Sequence, residues 1–212
     1  MTFTHGIGVA CGSIIRLIVR GLALSRIHPN VLTFLGLVIS SWAGFLMARG
    51  QFWAAGWVIV GGGLFDMVDG RVARETNRVT RFGGFFDSVL DRYSDLAVFA
   101  GLILWYGGIN RPGYVVLSIF AMMACVMISY ARARAENTIP TCKVGFLERP
   151  ERVVLIIIGA LFDRMAPVLW VTAVLGTITV IHRMVFTFQE AKRLEDAQLR
   201  PTARAASPTL RS

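Results

Sequence analysis

The run from Val31 to Ala48, VLTFLGLVISSWAGFLMA, carries no charged residue. Its length is close to the roughly 20 apolar residues that a helix needs to cross a bilayer. Five further runs repeat the pattern. Phe52 to Phe65 begins a second span that closes on Asp66 and Asp69. A third starts near Gly83 and continues past Asp91 to about Tyr106, and a fourth runs from Tyr114 to about Tyr130 and extends into the charged stretch Arg132 to Glu136. Val153 to Phe162 and Val168 to Val185 supply the fifth and sixth. The fifth is short unless Glu148 to Arg152 already belongs to its helix. His28-Pro29-Asn30, Arg49-Gly50-Gln51, Gly107-Gly108 with Arg111-Pro112-Gly113, and a 137–147 loop with Pro140 and Gly145 punctuate the runs. Composition agrees, with 55% hydrophobic residues, 17% charged and a mean hydropathy of +0.60, outside the usual soluble range. The chain reads as an all-α integral membrane protein with six transmembrane helices, residues 27–188 forming one membrane domain.

The flanks read differently. Residues 1–26 place Ile14, Ile15, Leu17, Ile18, Leu22 and Leu24 among Arg16, Arg20 and Arg26. That is too interrupted to span and is expected to form a juxtamembrane amphipathic helix lying on the surface. From Gln189 the chain is charged with no apolar period, which predicts a frayed helix and then a disordered cytoplasmic tail over 189–212. Gly61, Gly62 and Gly63 are expected to let another helix approach closely. Cys11, Cys125 and Cys142 show neither CxxC pairing nor zinc spacing and are expected to be packing residues.

Cytoplasmic loops carry an excess of Lys and Arg. Of the 22 such residues, Arg49, Arg111 and Arg164 fall in the odd-numbered turns and Arg92 inside the third span, and all others lie at the opposite ends. The chain should therefore be a multi-pass cell-membrane protein with both termini in the cytoplasm. The net charge of +9 is explained by this topology and by attraction to anionic membrane lipids, and no motif points to nucleic acid.

Between the second and third spans lies DMVDGRVARETNRVTRFGGFFDSVLD, from Asp66 to Asp91. Asp66 and Asp69 are three residues apart and Asp87 and Asp91 four apart, so each pair projects from one helix face. Two such faces meeting would converge four carboxylates, which cannot all stay ionised unless a cation neutralises them or some take up protons. An all-oxygen site suits a hard divalent cation, magnesium or manganese, which shares itself with substrate phosphates. The small residues Gly70, Ala73 and Gly83 let a ligand approach the backbone, and Arg74 offers a fork matched to phosphate. The stretch looks like a site for a diphosphate bridged by metals. The plainer alternative is carboxylates capping helices or pairing with Arg71, Arg74, Arg78 and Arg81.

Asp66-x2-Asp69-Gly70-x2-Ala73-Arg74-x8-Gly83-x3-Asp87-x3-Asp91 resembles, at every fixed position, the signature of the CDP-alcohol phosphatidyltransferases. The resemblance implies six membrane helices, two divalent cations held by Asp66, Asp69, Asp87 and Asp91, and displacement of CMP from CDP-diacylglycerol by an alcohol. It also implies that Asp91 takes the proton from the attacking hydroxyl, that Asn30 and Thr33 join Gly70, Ala73, Arg74 and Gly83 around the CDP-lipid, and that the protein is a homodimer.

A second polar group falls on the same side: Arg132, Arg134, Glu136, Lys143, Glu148, Arg149, Glu151, Arg152, His182 and Arg183. Gathered cations beside a diphosphate site suggest a second anionic ligand. Alternatively, Glu148, Arg149, Glu151 and Arg152 cap a helix and pair with each other. Ser129 to Glu136 followed by Glu148-Arg149-Pro150-Glu151-Arg152 is similar to the corresponding region of the phosphatidylinositol phosphate synthases and their archaeal relatives. By that resemblance Arg132, Arg152 and Arg183 hold the phosphate of inositol phosphate. Arg132 departs from the pattern, where those enzymes carry Lys. Glycerol 3-phosphate, and with it a phosphatidylglycerophosphate synthase, is the competing assignment. A small membrane transporter is the alternative from another class, although transport carboxylates are expected near the bilayer midplane and these fall at the ends of their spans.

Overall fold

The computed structural model describes the backbone at residues 29–75 and 80–205, and side chains at 30–63 and 80–197. Six helices make up the described residues: α1 (Pro29–Ala48), α2 (Phe52–Glu75), α3 (Arg81–Gly108), α4 (Pro112–Ala135), α5 (Arg149–Leu161) and α6 (Met165–Ala205). The amphipathic helix expected over 1–26 lies outside them.

Each boundary has a local cause. Gly50 at φ +71° reverses the chain between α1 and α2, and a Cβ there would lie 2.3 Å from the Trp105 ring, so both backbone and packing require glycine. Thr80, extended at φ −123° and ψ 152°, caps α3 by accepting the Gly83 N–H on its hydroxyl at 2.9 Å. Pro112, Pro150 and Pro167 stand in the first turns of α4, α5 and α6, where the missing N–H has no intrahelical partner to lose. The fifth span remains short: α5 begins at Arg149 and so includes Arg149 to Arg152, but it has 13 residues.

Helix α1 packs on α2 and α3, α3 on α4, α4 on α6, and α5 bridges α2 and α6. The core runs through Met47, Phe99, Leu102, Ala121, Ala160 and Leu169. The tightest crossing joins α1 to α3. A Cβ on Gly101 would lie 2.0 Å from the Gly44 carbonyl oxygen, and one on Gly44 would lie 2.3 Å from that of Ala97. The expected close approach at Gly61 to Gly63 is corrected accordingly. Among the described residues, a Cβ on Gly61 or Gly63 would meet nothing within 4 Å, and one on Gly62 would make ordinary contact with Ile39 at 3.4 Å. Instead, Gly62 and Gly63 line an apolar groove of about 430 Å³ shared with Ser40, Asp95 and Arg149.

Outward faces carry Trp42, Phe45, Trp53, Trp57, Phe120 and Trp170 exposed. Helices with satisfied backbones and apolar outer surfaces are what a bilayer demands. Asn30–Ala48, Pro112–Ala135 and Met165–Ala197 are each long and apolar enough to cross one, and Phe52–Gly63 is a shorter apolar stretch. Helix α3 has the length, with 28 residues, but Asp87, Asp91, Arg92 and Asp95 lower its hydropathy. The protein is a multi-pass membrane protein.

Cys125 and Cys142 are buried free thiols, as expected of packing residues, and Cys11 lies outside the described residues. Cys142 joins Ala135 and Ile139 in a small cluster against Phe186, Ala191 and Leu194. That cluster explains why α6 does not fray at Gln189 but runs on to Ala205. Ala191 and Leu194 find apolar partners in the 136–148 segment, and Glu190 pairs with Arg193 at 3.7 Å. Residues 206–212 lie outside the described residues.

Candidate active site

Helix α3 carries Asp87, Asp91 and Asp95 at successive i, i+4 positions, so the face begun by the first two continues one turn further. All three are half-buried. Among the described residues, a Cβ on Gly84, at the start of this row, would meet nothing within 4 Å. A Cβ on Gly83 would lie 3.0 Å from the Thr80 hydroxyl and 3.5 Å from the Asn30 carboxamide oxygen. The structure thus brings Asn30, at the start of α1, to Gly83 at the start of α3, and buries Thr33 one turn along α1. The side chains of Asp66, Asp69, Gly70, Ala73 and Arg74 lie outside the described ones, although their backbone belongs to α2.

The row meets α5. Arg149 Nη2 lies 2.9 Å from Asp91 Oδ1 and Arg149 Nε 4.0 Å from Asp95 Oδ1, while Arg152 Nη2 donates to Asp95 Oδ2 at 3.1 Å. Arg152 is 3% exposed. The two arginines therefore do not pair with Glu148 and Glu151, as the helix-cap alternative has it, but reach across to the neighbouring helix. Among the described residues Arg152 Nε is buried without a hydrogen-bond partner, and such an orphan donor is costly.

Glu148 turns toward two other helices. It sits extended before α5, makes no capping hydrogen bond through its side chain, and places Oε1 3.4 Å from Arg132 Nη1 and 3.8 Å from Arg183 Nη2. Arg132 also donates to Glu136 at 3.1 Å. Arg183, 2% exposed, is pinned by two carbonyls: Nε donates to Val144 O at 2.8 Å and Nη1 to Ile128 O at 2.6 Å. Gly145 makes this possible. At φ +125°, and with a would-be Cβ 2.5 Å from the Thr179 methyl, it lets the loop lie on α6 and present the Val144 carbonyl.

Arg132, Arg152 and Arg183 thus come together, on a cavity of about 410 Å³ lined also by Ser88, Arg92, Ser129, Glu148 and Arg149. Lys143 and Glu151 are exposed and outside this lining, as is His182, whose ring lies 5.9 Å from that of Phe146. Sequence reasoning passed over Asp95 and Arg92 as site residues and named Arg149 only within the polar group of the acceptor side. The i+8 spacing of Asp95 from Asp87 was a usable signal, whereas the reach of Arg149 across to α3 had none.

Half-buried carboxylates on one helix, open space beside them, and a cavity walled by arginines from the surrounding helices define a membrane enzyme for anionic substrates. A family model described as CDP-alcohol phosphatidyltransferase matches residues 26–189. The chain is 36% identical over 177 residues to an archaetidylinositol phosphate synthase of Pyrococcus horikoshii, covering 83% of this chain and 90% of that one. It is 37% identical over 179 residues to a phosphatidylinositol phosphate synthase of Mycobacterium tuberculosis, covering 79% and 82%. A crystal structure of the phosphatidylinositol phosphate synthase of Mycobacterium tuberculosis with CDP-DAG bound superposes with a TM-score of 0.78 at 33% identity, covering 83% of this chain and 94% of that one. Another, in complex with manganese and citrate, gives 0.75 at 34% identity, covering 82% and 88%. The chain belongs to the CDP-alcohol phosphatidyltransferase family. It is an enzyme of that class, and the transporter alternative falls away.

Proposed function

We propose that the protein transfers the phosphatidyl group of CDP-diacylglycerol to inositol phosphate, releasing CMP. The observation that carries the acceptor is the cavity on which Arg132, Arg152 and Arg183 converge, one helix away from Asp91. Two relatives whose names specify inositol phosphate products support the same reading.

In this reading Asp66, Asp69, Asp87 and Asp91 hold two magnesium or manganese ions. The donor set fits, since Asp87 and Asp91 are oxygen donors one turn apart beside the open face at Gly84. When bound, the ions neutralise charge developing on the diphosphate and on departing CMP. Asn30, Thr33, Gly70, Ala73, Arg74 and Gly83 surround the CDP-lipid, the glycines admitting it close to the backbone. Asp91 accepts the proton of the attacking hydroxyl, and Arg149, 2.9 Å away, fixes the orientation of its carboxylate. The hydroxyl oxygen then bonds to the lipid-side phosphorus as the bond to CMP breaks. Arg132, Arg152 and Arg183 anchor the acceptor's phosphate, and the orphaned Arg152 Nε supplies a donor ready for it.

Six spans, a site open to the cytoplasm and a homodimer complete the proposal. The six spans rest on the apolar runs of the sequence and on the family resemblance, the orientation on the Lys and Arg distribution, and the homodimer on the family resemblance. Inositol phosphate and glycerol 3-phosphate share the phosphate and differ in the polyol, so both must be tested. The experiment supplies membrane-reconstituted protein with CDP-diacylglycerol and magnesium, then measures CMP release with inositol phosphate, glycerol 3-phosphate, inositol and serine. Inositol phosphate should saturate at the lowest concentration; a preference for glycerol 3-phosphate overturns the inositol assignment. Arg132→Gln should raise the apparent KM for phosphorylated acceptors about 10- to 100-fold, and an unchanged curve overturns the receptor. Arg132 is a cleaner probe than Arg183, whose removal also strands two backbone carbonyls.

A further inference from the structure

The arginines of the acceptor cavity come from four helices: Arg92 from α3, Arg132 from α4, Arg149 and Arg152 from α5, and Arg183 from α6. Four of the five have a carboxylate within 4.0 Å, namely Glu148 and Glu136 for Arg132, Asp91 for Arg149, Asp95 for Arg152 and Glu148 for Arg183. Arg92 differs. Among the described residues its partners are the carbonyl and hydroxyl of Ser88, one turn back, and both are taken by Nη1. Nε and Nη2 have no partner there, on a guanidinium that carries five N–H donors in a fixed fork. Arg92 is half-buried, and these donors are not among the fully buried ones, so they are open to a ligand entering the cavity that Arg92 lines.

Position tells which ligand supplies the counter-charge. Successive residues turn about 100° around a helix and rise 1.5 Å, so Arg92 leaves α3 on a different face from Asp91. Asp91 faces α5 through Arg149, whereas Ser88 and Arg92 line the cavity with Ile128, Ser129 and Arg132 of α4. The carboxylate row and the Ser88–Arg92 pair are thus neighbouring stripes of one helix, the first turned toward α5 and the second toward α4. Resting on the acceptor reading above, we propose that Arg92 is a further phosphate ligand, closing the receptor on the α3 side. An acceptor phosphate held there would lie beside Ser88, one turn back along α3, where the Arg92 guanidinium reaches the Ser88 carbonyl and hydroxyl.

The test uses the full chain reconstituted in vesicles, with saturating CDP-diacylglycerol and magnesium. Arg92→Gln should raise the apparent KM for inositol phosphate and for glycerol 3-phosphate about 10- to 100-fold. It should weaken competitive inhibition by inorganic phosphate by the same factor and leave the KM for CDP-diacylglycerol within about twofold. Arg92→Lys, which keeps the charge but not the fork, should fall between wild type and Arg92→Gln. A merely structural role would lower kcat or the folded fraction without selecting for phosphate. Acceptor curves and phosphate inhibition unchanged in Arg92→Gln overturn the proposal, as does a rise in the CDP-diacylglycerol KM instead. Should Arg92→Gln fail to fold, Arg92→Lys decides alone, and a wild-type acceptor curve there overturns it. Failure of the underlying reading looks different: wild type would then use inositol as well as inositol phosphate, and Arg132→Gln would also leave acceptor saturation untouched.

Discussion

Replacing Asp95 by Asn removes the carboxylate that holds Arg152 while keeping its shape. The pair is 3.1 Å apart and buried, Arg152 being 3% and Asp95 16% exposed. At an effective dielectric of about 20, two charges at this distance attract by about 5 kcal/mol. Leaving one partner of a buried pair uncompensated costs about 3–5 kcal/mol, and the partial accessibility of Asp95 argues for the lower end, about 3. For a chain of this length each kcal/mol moves Tm by about 2–4 °C, so Asp95→Asn should lower Tm by about 6–12 °C. The assay is thermal unfolding in detergent followed by tryptophan fluorescence. A second substitution, Arg152→Gln, removes the stranded charge, and the double variant should melt above Asp95→Asn alone because the two sites are coupled. A drop under about 3 °C, or strictly additive losses in the double variant, would show that Asp95 does not support Arg152 electrostatically.

Gly101→Ala should destabilise the α1–α3 crossing by about 1–3 kcal/mol, because the new methyl lies 2.0 Å from the Gly44 carbonyl oxygen; Gly107→Ala, with nothing within 4 Å, should not lower the melting temperature in the same assay. Asp91→Asn should keep the KM for CDP-diacylglycerol and reduce CMP release on the order of 10² or more, and lost lipid binding with intact turnover would make Asp91 a binding ligand. Asp87→Ala should leave less than about a tenth of wild-type CMP release at saturating magnesium, measured against the same vesicles, because the site loses both charge balance and a ligand. A cysteine at Gly108 should react with an impermeant thiol reagent added outside intact cells and one at Lys143 should not; the opposite pattern would reverse the topology.

Helices α1, α2, α4 and α6 were legible because long apolar runs leave the backbone no other way to satisfy itself in a bilayer, whereas α3 carries Asp87, Asp91, Arg92 and Asp95 and α5 has only 13 residues. Their ends followed from His28-Pro29-Asn30, Arg49-Gly50-Gln51 and Arg111-Pro112-Gly113, whereas the cap at Thr80 emerged only from the structure. The carboxylate row was legible because spacing on a helix fixes a shared face. Packing was less so. Gly61 to Gly63 drew attention as a cluster, whereas the crossing uses Gly44 and Gly101, isolated in two different runs. A glycine declares what it permits, and only the facing helix decides whether the space is used. The continuation of α6 to Ala205 depended likewise on apolar partners in the 136–148 segment, which period-counting within the tail could not supply. Cross-helix pairing was the least legible. Arg149 and Arg152 stand beside Glu148 and Glu151 in the chain, but their recorded ion pairs are with Asp91 and Asp95, more than fifty residues away.

Those pairings carry a consequence for how the two substrates are brought together. Arg149 ties the proposed base on α3 to α5, and Arg152, one turn along α5 from Arg149, belongs to the proposed acceptor receptor and is tied to α3 through Asp95. On the proposed assignment, the base and the acceptor's anchor are fixed relative to each other by two bridges across one helix pair. Such an arrangement places the acceptor hydroxyl against Asp91 by rigid packing rather than by closure of a loop, and placement of this kind is where much of the rate of a bimolecular transfer originates. It also gives the carboxylate row on α3 a graded division of labour. On the proposed assignment Asp87, at the open end, would face the CDP-lipid, Asp91 would stand between the two substrates, and Asp95 holds Arg152 of the proposed receptor. The three positions are chemically identical and separated by one helical turn each, so what distinguishes them is the partner each meets.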